Sequence, residues 1–373
     1  MDNTQAVFET QTVTTATAPQ AARTLHVPGD FPTISSAADA ARAGDTVLIH
    51  GGVYEETVCI RSSGDAGAPI TFAAAPGEIV WMDGSNRFRA TAFILPHKHH
   101  IILDGLRFRH FRFAPELGPV IRITGGSHPV IRRCFHDGRE VEGYVGTLIA
   151  AEKVTNLLIE NSVFIGGMNE AISLNACPDA TLRHCVFYNN FLRALTAHMD
   201  APDVLLHFHH NLVCDSIPTK VKNALLRVWH ADALRSDHNV FYTRIPGAER
   251  QLVETAFIHG QQVGHADPAM YRGESLRLTD LQTKFHQDQT SRTGNPSLPA
   301  APQLVPRNDG ENPGWRKIES DWRETELHQT GGTLTPLDFK DFIPAAHNPL
   351  GKATDGKPVG LDSEALSNAN SGK

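Results

Sequence analysis

A histidine, an arginine and a tryptophan fall close together in the second half of this chain: His198, Arg227 and Trp229. Around them lie Glu170, Asn175, Arg193, His230 and Glu254, with Lys220 and Lys222 in the intervening segment SIPTKVKN. A guanidinium grips a carboxylate through two parallel hydrogen bonds. An imidazole, or a lysine whose proton affinity is depressed by neighbouring cations, exchanges a proton near neutral pH. An indole offers a flat platform for the apolar face of a sugar ring. His198, Arg227, Lys220 and Lys222 are therefore the candidate catalytic residues, and Trp229, Asn175, Arg193, Glu170, Glu254 and His230 the candidate substrate-binding ones. Each has a plainer role to weigh against this. Arg227 and Glu254 also suit a surface ion pair of little energetic value, His198 a turn cap, and the two lysines solvated loop charges.

What brings these residues together is a repeat. The segments RRCFHDG at 132, ENSVFIGG at 160, RHCVFYNN at 183, HHNLVCDS at 209 and DHNVFYTR at 237 share one pattern. The marker positions Phe108, His136, Phe164, Phe187, Val213 and Phe241 are spaced by 28, 28, 23, 26 and 28 residues. Each unit holds short β-rich apolar runs, such as Ala171 to Leu174 and Thr181 to Phe187, that cannot bury a face alone. Stacked units can, and the expected fold is a solenoid. Ile131, Ile159, Leu182 and Phe208 fall inside before a tight turn, and Phe108, Phe164, Phe187 and Phe241 inside after it. Arg133, Asn161, His184, His210 and His238 form a column just outside that turn, one per coil and about 4.8 Å apart, read as a surface imidazole stack rather than a metal site.

A second alignment sets the candidate groove. Placing Ile121, Leu148, Ile172, Leu195 and Leu226 inward leaves Arg122, Ile149, Ser173, Thr196, Arg227 and Glu254 outward. Beside them runs the series Thr124, Ala151, Asn175, His198, Trp229 and Ala256. From Ser173 onward this face turns polar, basic and aromatic.

Of 373 residues, 40% are hydrophobic and 20% charged, enough for a sizeable core. The net charge of −7 comes without a basic block, which argues against nucleic acid as a partner. The first 23 residues contain no apolar run of membrane-spanning or signal-peptide length, so the chain reads as made without a signal or as a trimmed mature form. Five cysteines, an odd number, leave at least one thiol free. Cys134 and Cys185 share the inward turn position with Ser162, Asn211 and Asn239 and read as packing residues.

Toward the N-terminus, Thr33 to Arg42 carries the start and stop signals of a short helix, fit to cover the open end of a solenoid. Strands are expected at Thr46 to Ile49, Thr57 to Ile60, Ile70 to Ala73 and Ile79 to Met82. A second helix is expected over Arg277 to Gln287. The segments PTISSAADAARAGDTVLIHGGVYEETV, GAPITFAAAPG and HHIILDGLRF, with SDHNVFY and SLRLTDLQTKFHQDQTSRTGNPSL later, resemble right-handed parallel β-helix proteins of the pectate-lyase superfamily. The resemblance covers roughly residues 24 to 300. It implies an all-β, right-handed parallel β-helix solenoid with an N-terminal capping helix and an irregular C-terminal segment. The expected layout is a flexible lead-in (1–23), the β-helix (24–306), a loop-rich segment packing on it (307–362) and a disordered tail (363–373).

For function, the resemblance implies an extracellular, monomeric protein acting on an acidic polysaccharide without nucleic-acid or membrane partners. Lyases of this kind neutralise a uronate carboxylate, remove the proton beside it and expel the glycosidic oxygen. Calcium performs the first task in some members, so calcium is the one cofactor the resemblance allows, but no metal ligands are assigned here. The acidic calcium cluster of several pectate lyase families and the Asp-rich motifs of polygalacturonase-like hydrolases are both missing. Only Lys220 or Lys222 with Arg227 imitates the lysine-arginine pair of the alginate and chondroitin lyases. Two alternatives stand beside elimination. One is hydrolysis by paired carboxylates, drawn from Glu170, Asp200, Asp232 and Glu254; the other is a non-catalytic carbohydrate-binding or structural β-helix.

Overall fold

In a computed structural model the chain winds into a parallel β-helix. The structure describes residues 21–370, apart from 86–90, 112–117, 139–146, 167–169, 189, 191–192, 200, 215–223, 243–251, 264–272 and 300–335. Three sheets of nine strands each form its walls. The first runs from Thr24–Val27 to Leu234–Asp237, the second from Gly52–Tyr54 to Arg292–Thr293, and the third from Val58–Cys59 to Glu274–Leu276. Every coil visits the first, second and third sheets in turn, and successive coils pair in parallel. The exception is the last strand of the third sheet, which runs antiparallel to Val253–Thr255.

The marker column anticipated from the repeat is one row of the second sheet: Phe108, His136, Phe164, Phe187, Val213 and Phe241 are successive register partners. Their rings stack in the core, Phe108 on His136 at 4.5 Å, His136 on Phe164 at 4.8 Å and Phe164 on Phe187 at 5.2 Å between centroids. Between the first and second sheets the chain turns through two residues. The first of the two is left-handed in every coil from Arg133 (φ 53°) through Asn161, His184 and His210 to His238 (φ 59°). The second points inward and is buried: Cys134, Ser162, Cys185, Asn211 and Asn239.

These inward side chains bind one coil to the next. Ser162 Oγ accepts from the backbone N–H of Cys134, Asn211 Oδ1 from Cys185 N–H at 3.0 Å, and Asn239 Oδ1 from Asn211 N–H at 2.8 Å. All five cysteines are free, and burial pushes the thiols of Cys134 and Cys185 up to about 12, consistent with packing residues.

At the N-terminal end a helix over Ile34–Ala40 covers the first coil with Ile34, Ala37 and Ala38. Thr33 caps it, and Glu56 accepts hydrogen bonds from the N–H groups of Ile34 and Ser35, where the helix dipole favours negative charge. The second helix spans Leu278–Lys284. The segment from residue 336 lies over the outer face of the second sheet. There Leu337, Phe342, Val359 and Leu361 bury Phe135, Val163, Tyr188 and Leu212 in a separate apolar cluster.

Three expectations are corrected. The groove alignment slips by one residue in a single coil, because Ile149 and not Leu148 pairs with Ile121 and Ile172. Since side chains alternate, that slip exchanges faces, and the outward rows gain Ala150 and Glu152 in place of Ile149 and Ala151. The terminal residues read as disordered form a helix over Ser363–Asn370, started by Asp362, whose carboxylate accepts from Glu364 and Ala365 N–H. Third, the histidine column is not a surface stack throughout, since the C-terminal segment covers His210, which is buried.

Two predictions follow from the coil stacking. Asn211→Ala should leave the Cys185 N–H and the Leu182 carbonyl without the partners they now have, costing about 2–4 kcal/mol in denaturant unfolding; Asn211→Ser should recover part of this. His136 is fully buried, neither ring nitrogen has a hydrogen-bond partner among the described residues, and burial pushes its pKa down to about 3. The unfolded state therefore binds a proton that the folded state refuses as pH falls below the ordinary histidine value. His136→Phe, continuing the phenylalanine column, should stabilise by about 1–3 kcal/mol at pH 7. The gap should widen by up to ~1.4 kcal/mol per pH unit from about 6.5 toward about 3. A constant gap across that range would refute the protonation account.

Candidate functional site

The outward face of the third sheet carries the residues singled out above. Glu170 begins strand Glu170–Asn175 and is the register partner of Arg193, which begins strand Arg193–His198. In the next rows Thr196 pairs with Arg227 and Arg227 with Glu254. Four charged side chains thus sit on four consecutive coils.

They are held unequally. Arg227 donates from Nε and Nη2 to one Glu254 oxygen at 3.0 and 2.8 Å, and the other Glu254 oxygen accepts from Gly273 N–H at 3.3 Å. This pair is largely buried, with side-chain exposures of 15% and 6%, so it is more than a solvated surface contact. Glu170 is held loosely. Its two oxygens accept from the hydroxyls of Thr147 and Thr196 at 3.4 Å each, and the nearest guanidinium nitrogen of Arg193 stands 4.0 Å away. Burial raises the Glu170 pKa above the ordinary glutamate value, and the charges of Arg193 and Arg227 oppose the rise. The result is a carboxyl of heightened basicity beside two permanent cations.

His198 and Trp229 lie one same-face step further along, about 7 Å from Thr196 and Arg227 by strand geometry. Their rings meet edge to face at 4.4 Å, and both are half-buried. Adjacent backbone groups fix the tryptophan, whose N–H donates to the Ala197 carbonyl and whose carbonyl accepts from Ala256 and Phe257 N–H. Asn175 ends its strand, exposed, in register with His198.

The structure brings together Glu170, Arg193, Arg227 and Glu254, with His198 and Trp229 beside them. His230 does not join the face: it is buried at the following corner and stacks on Phe257 at 4.5 Å, because the chain turns into a short 3-10 helix at Ala231–Ala233. Lys220, Lys222 and Asp200 lie outside the described residues. Asp232 accepts from His259 N–H beyond that same corner. Sequence reading missed Thr147 and undervalued Glu170. The available signal was Glu170's place opposite Arg193 in the next coil.

No protein-family model matches the chain. Over 97 residues it is 36% identical to the uncharacterized protein YwoF of Bacillus subtilis (strain 168), a stretch covering 25% of this chain and 21% of that protein. The chain thus matches about a fifth of that relative's length. Among solved structures, pectate lyase Pel9A is similar at a TM-score of 0.38, with 13% identity over 91% of this chain and 95% of that one. The PL6 family polysaccharide lyase Pedsa3628 from Pseudopedobacter saltans gives 0.36, with 14% identity over 62% and 49%. The alginate lyase from Paenibacillus sp. str. FPU-7 gives 0.34, with 15% identity over 63% and 99%. By its own three sheets wound coil on coil, this chain has a parallel β-helix fold, a scaffold that leaves the reaction to the residues mounted on it.

Proposed function

We propose that this protein binds an acidic polysaccharide along the third sheet, outside the cytoplasm, and cleaves it by β-elimination at a uronate residue. The observation that carries the reading is the position of Glu170 beside Arg193, with Arg227 on the coil after. In elimination the proton to be removed sits on the carbon that bears the carboxylate, so the base must stand beside the cations that neutralise that carboxylate. Arg193 and Arg227 supply the charge, and Glu254 orients Arg227. Glu170, made more basic by burial, takes the proton. His198 in its protonated form, one step along the face, then gives a proton to the departing glycosidic oxygen. Trp229 supports a neighbouring sugar ring. The sequence alone had suggested His198 as the base; the buried carboxyl beside two guanidiniums suits that role better, which frees the imidazole to act as the acid.

Hydrolysis is the second reading, favoured by one observation: the face carries two carboxyl groups in unlike settings, Glu254 paired to Arg227 and Glu170 loosely held. Unlike settings are what an acid and a base require. The product decides between them. Incubation with alginate, pectate, hyaluronan, chondroitin and ulvan should release oligosaccharides absorbing in the unsaturated-uronate band. New reducing ends without that absorbance would select hydrolysis, and glycan binding without products would select a binding module.

The residue roles give two further expected outcomes. Glu170→Gln should lower kcat by about 10²–10⁴ with the fold intact, whereas an unchanged rate would move the site to another face. The pH profile should be bell-shaped: activity rises as Glu170 ionises, at a pKa above that of an ordinary glutamate, and falls as His198 loses its proton. His198→Ala should remove the alkaline limb and leave the acid limb in place; loss of the acid limb instead would reverse the two roles.

A further inference from the structure

At the corner between the first and second sheets, away from the arginine face, His210, His238 and Asp355 direct one ligating atom each at a common space. These atoms all lie within 4.8 Å of one another. His210 Nε2 stands 3.0 Å from Asp355 Oδ2, and the rings of His210 and His238 overlap at 4.6 Å. The surrounding hydrogen bonds select the tautomers. Thr290 donates its hydroxyl proton to Asp237 at 2.8 Å and so accepts from His238 Nδ1 at 2.7 Å, which leaves the His238 Nε2 lone pair uncommitted to that chain. Without an ion His210 Nε2 donates to Asp355 Oδ2; an ion between them would take that proton's place, and the His210 proton would move to Nδ1, where His209 Nδ1 at 3.1 Å can accept it. Neutral imidazoles and a carboxylate are the protonation states a metal ion binds.

We propose that His210, His238 and Asp355 form a binding site for a divalent transition-metal ion of the zinc class, which pins the C-terminal segment to the solenoid. Two imidazoles and one carboxylate select such an ion over calcium or magnesium, which prefer oxygen alone. A tetrahedral ion with bonds of about 2.1 Å needs ligand atoms about 3.4 Å apart. Asp355 can close that distance, since it lies in the exposed run 354–357 between the buried Ala353 and Val359. A water would fill the fourth position. Lys357, 3.4 Å from Asp355 Oδ2, is the cation that the metal would displace.

The test is titration of the chelator-treated full chain with Zn²⁺, read by calorimetry, by Tm and by limited proteolysis of the C-terminal segment. One equivalent should bind, raise Tm by several degrees and slow cleavage near Lys352 and Lys357. His238→Ala and Asp355→Asn should each lose that equivalent and the Tm rise, while their metal-free Tm stays close to that of the metal-free wild type. His128→Ala, which alters another stacked histidine pair that belongs to no ligand cluster among the described residues, should keep both. Equal binding by all three variants, or a Tm rise that survives Asp355→Asn, would overturn the assignment.

Discussion

The two-residue turn between the first and second sheets is the constraint on which the rest of the molecule depends. Two residues separate Asp104 from Arg107, and the same number separates the strands of those sheets in each later coil through Asp237 and Val240. With its length fixed, the turn fixes its shape. Its first residue must be left-handed, which strains an ordinary side chain by about 1–2 kcal/mol. Gly105 meets this without strain, but Arg133, Asn161, His184, His210 and His238 do not. What holds them there is the second residue: Ser162, Asn211 and Asn239 capture an N–H of the coil before with an inward oxygen, while Cys134 and Cys185 point their thiols at the Leu103 and Ile159 carbonyls of that coil. Strain and capture recur together, so each coil is locked to its neighbour at the same angular position.

That lock explains why so much of the fold was legible in the sequence. A turn of constant length, followed by a constant inward row, writes a period that survives even where coil length drops from 28 residues to 23. The Phe108-to-Phe241 column and the buried Cys134 and Cys185 follow from it directly. The third sheet was less legible because the chain between it and the turn varies in length. Alignment there relied on counting, and one residue of error at Leu148 and Ile149 moved a whole coil's side chains to the wrong face.

The candidate site was legible in its membership more than in its roles. Arg227, Glu254, His198 and Trp229 share rows as the repeat required. The sequence carries no mark of how an individual charge is paired, however, and pairing is what separates the loosely held Glu170 from Glu254. Likewise His230 differs from His198 only in lying past the end of its strand, where the chain turns a corner, and no period reports that. The C-terminal segment is legible as an irregular stretch, but its partner is not, because the face it covers is a row of outward residues such as Phe135, Val163 and Tyr188 that reads like any core strand.

The uneven coil lengths have a consequence for access. Part of the variation lies at the corner after His198, seven residues before Leu206, but most lies between the second and third sheets, where the connections run to 11 residues before Ile121, Ile149 and Leu226, and 10 before Val253. Before Glu170 and Arg193 they shrink to four. Four residues can do little beyond joining one strand to the next, so little chain is left to stand in front of these two side chains. The shortening of these two coils therefore takes chain length away from the side of the solenoid, next to the basic carboxyl and its arginine, which are 15% and 6% exposed.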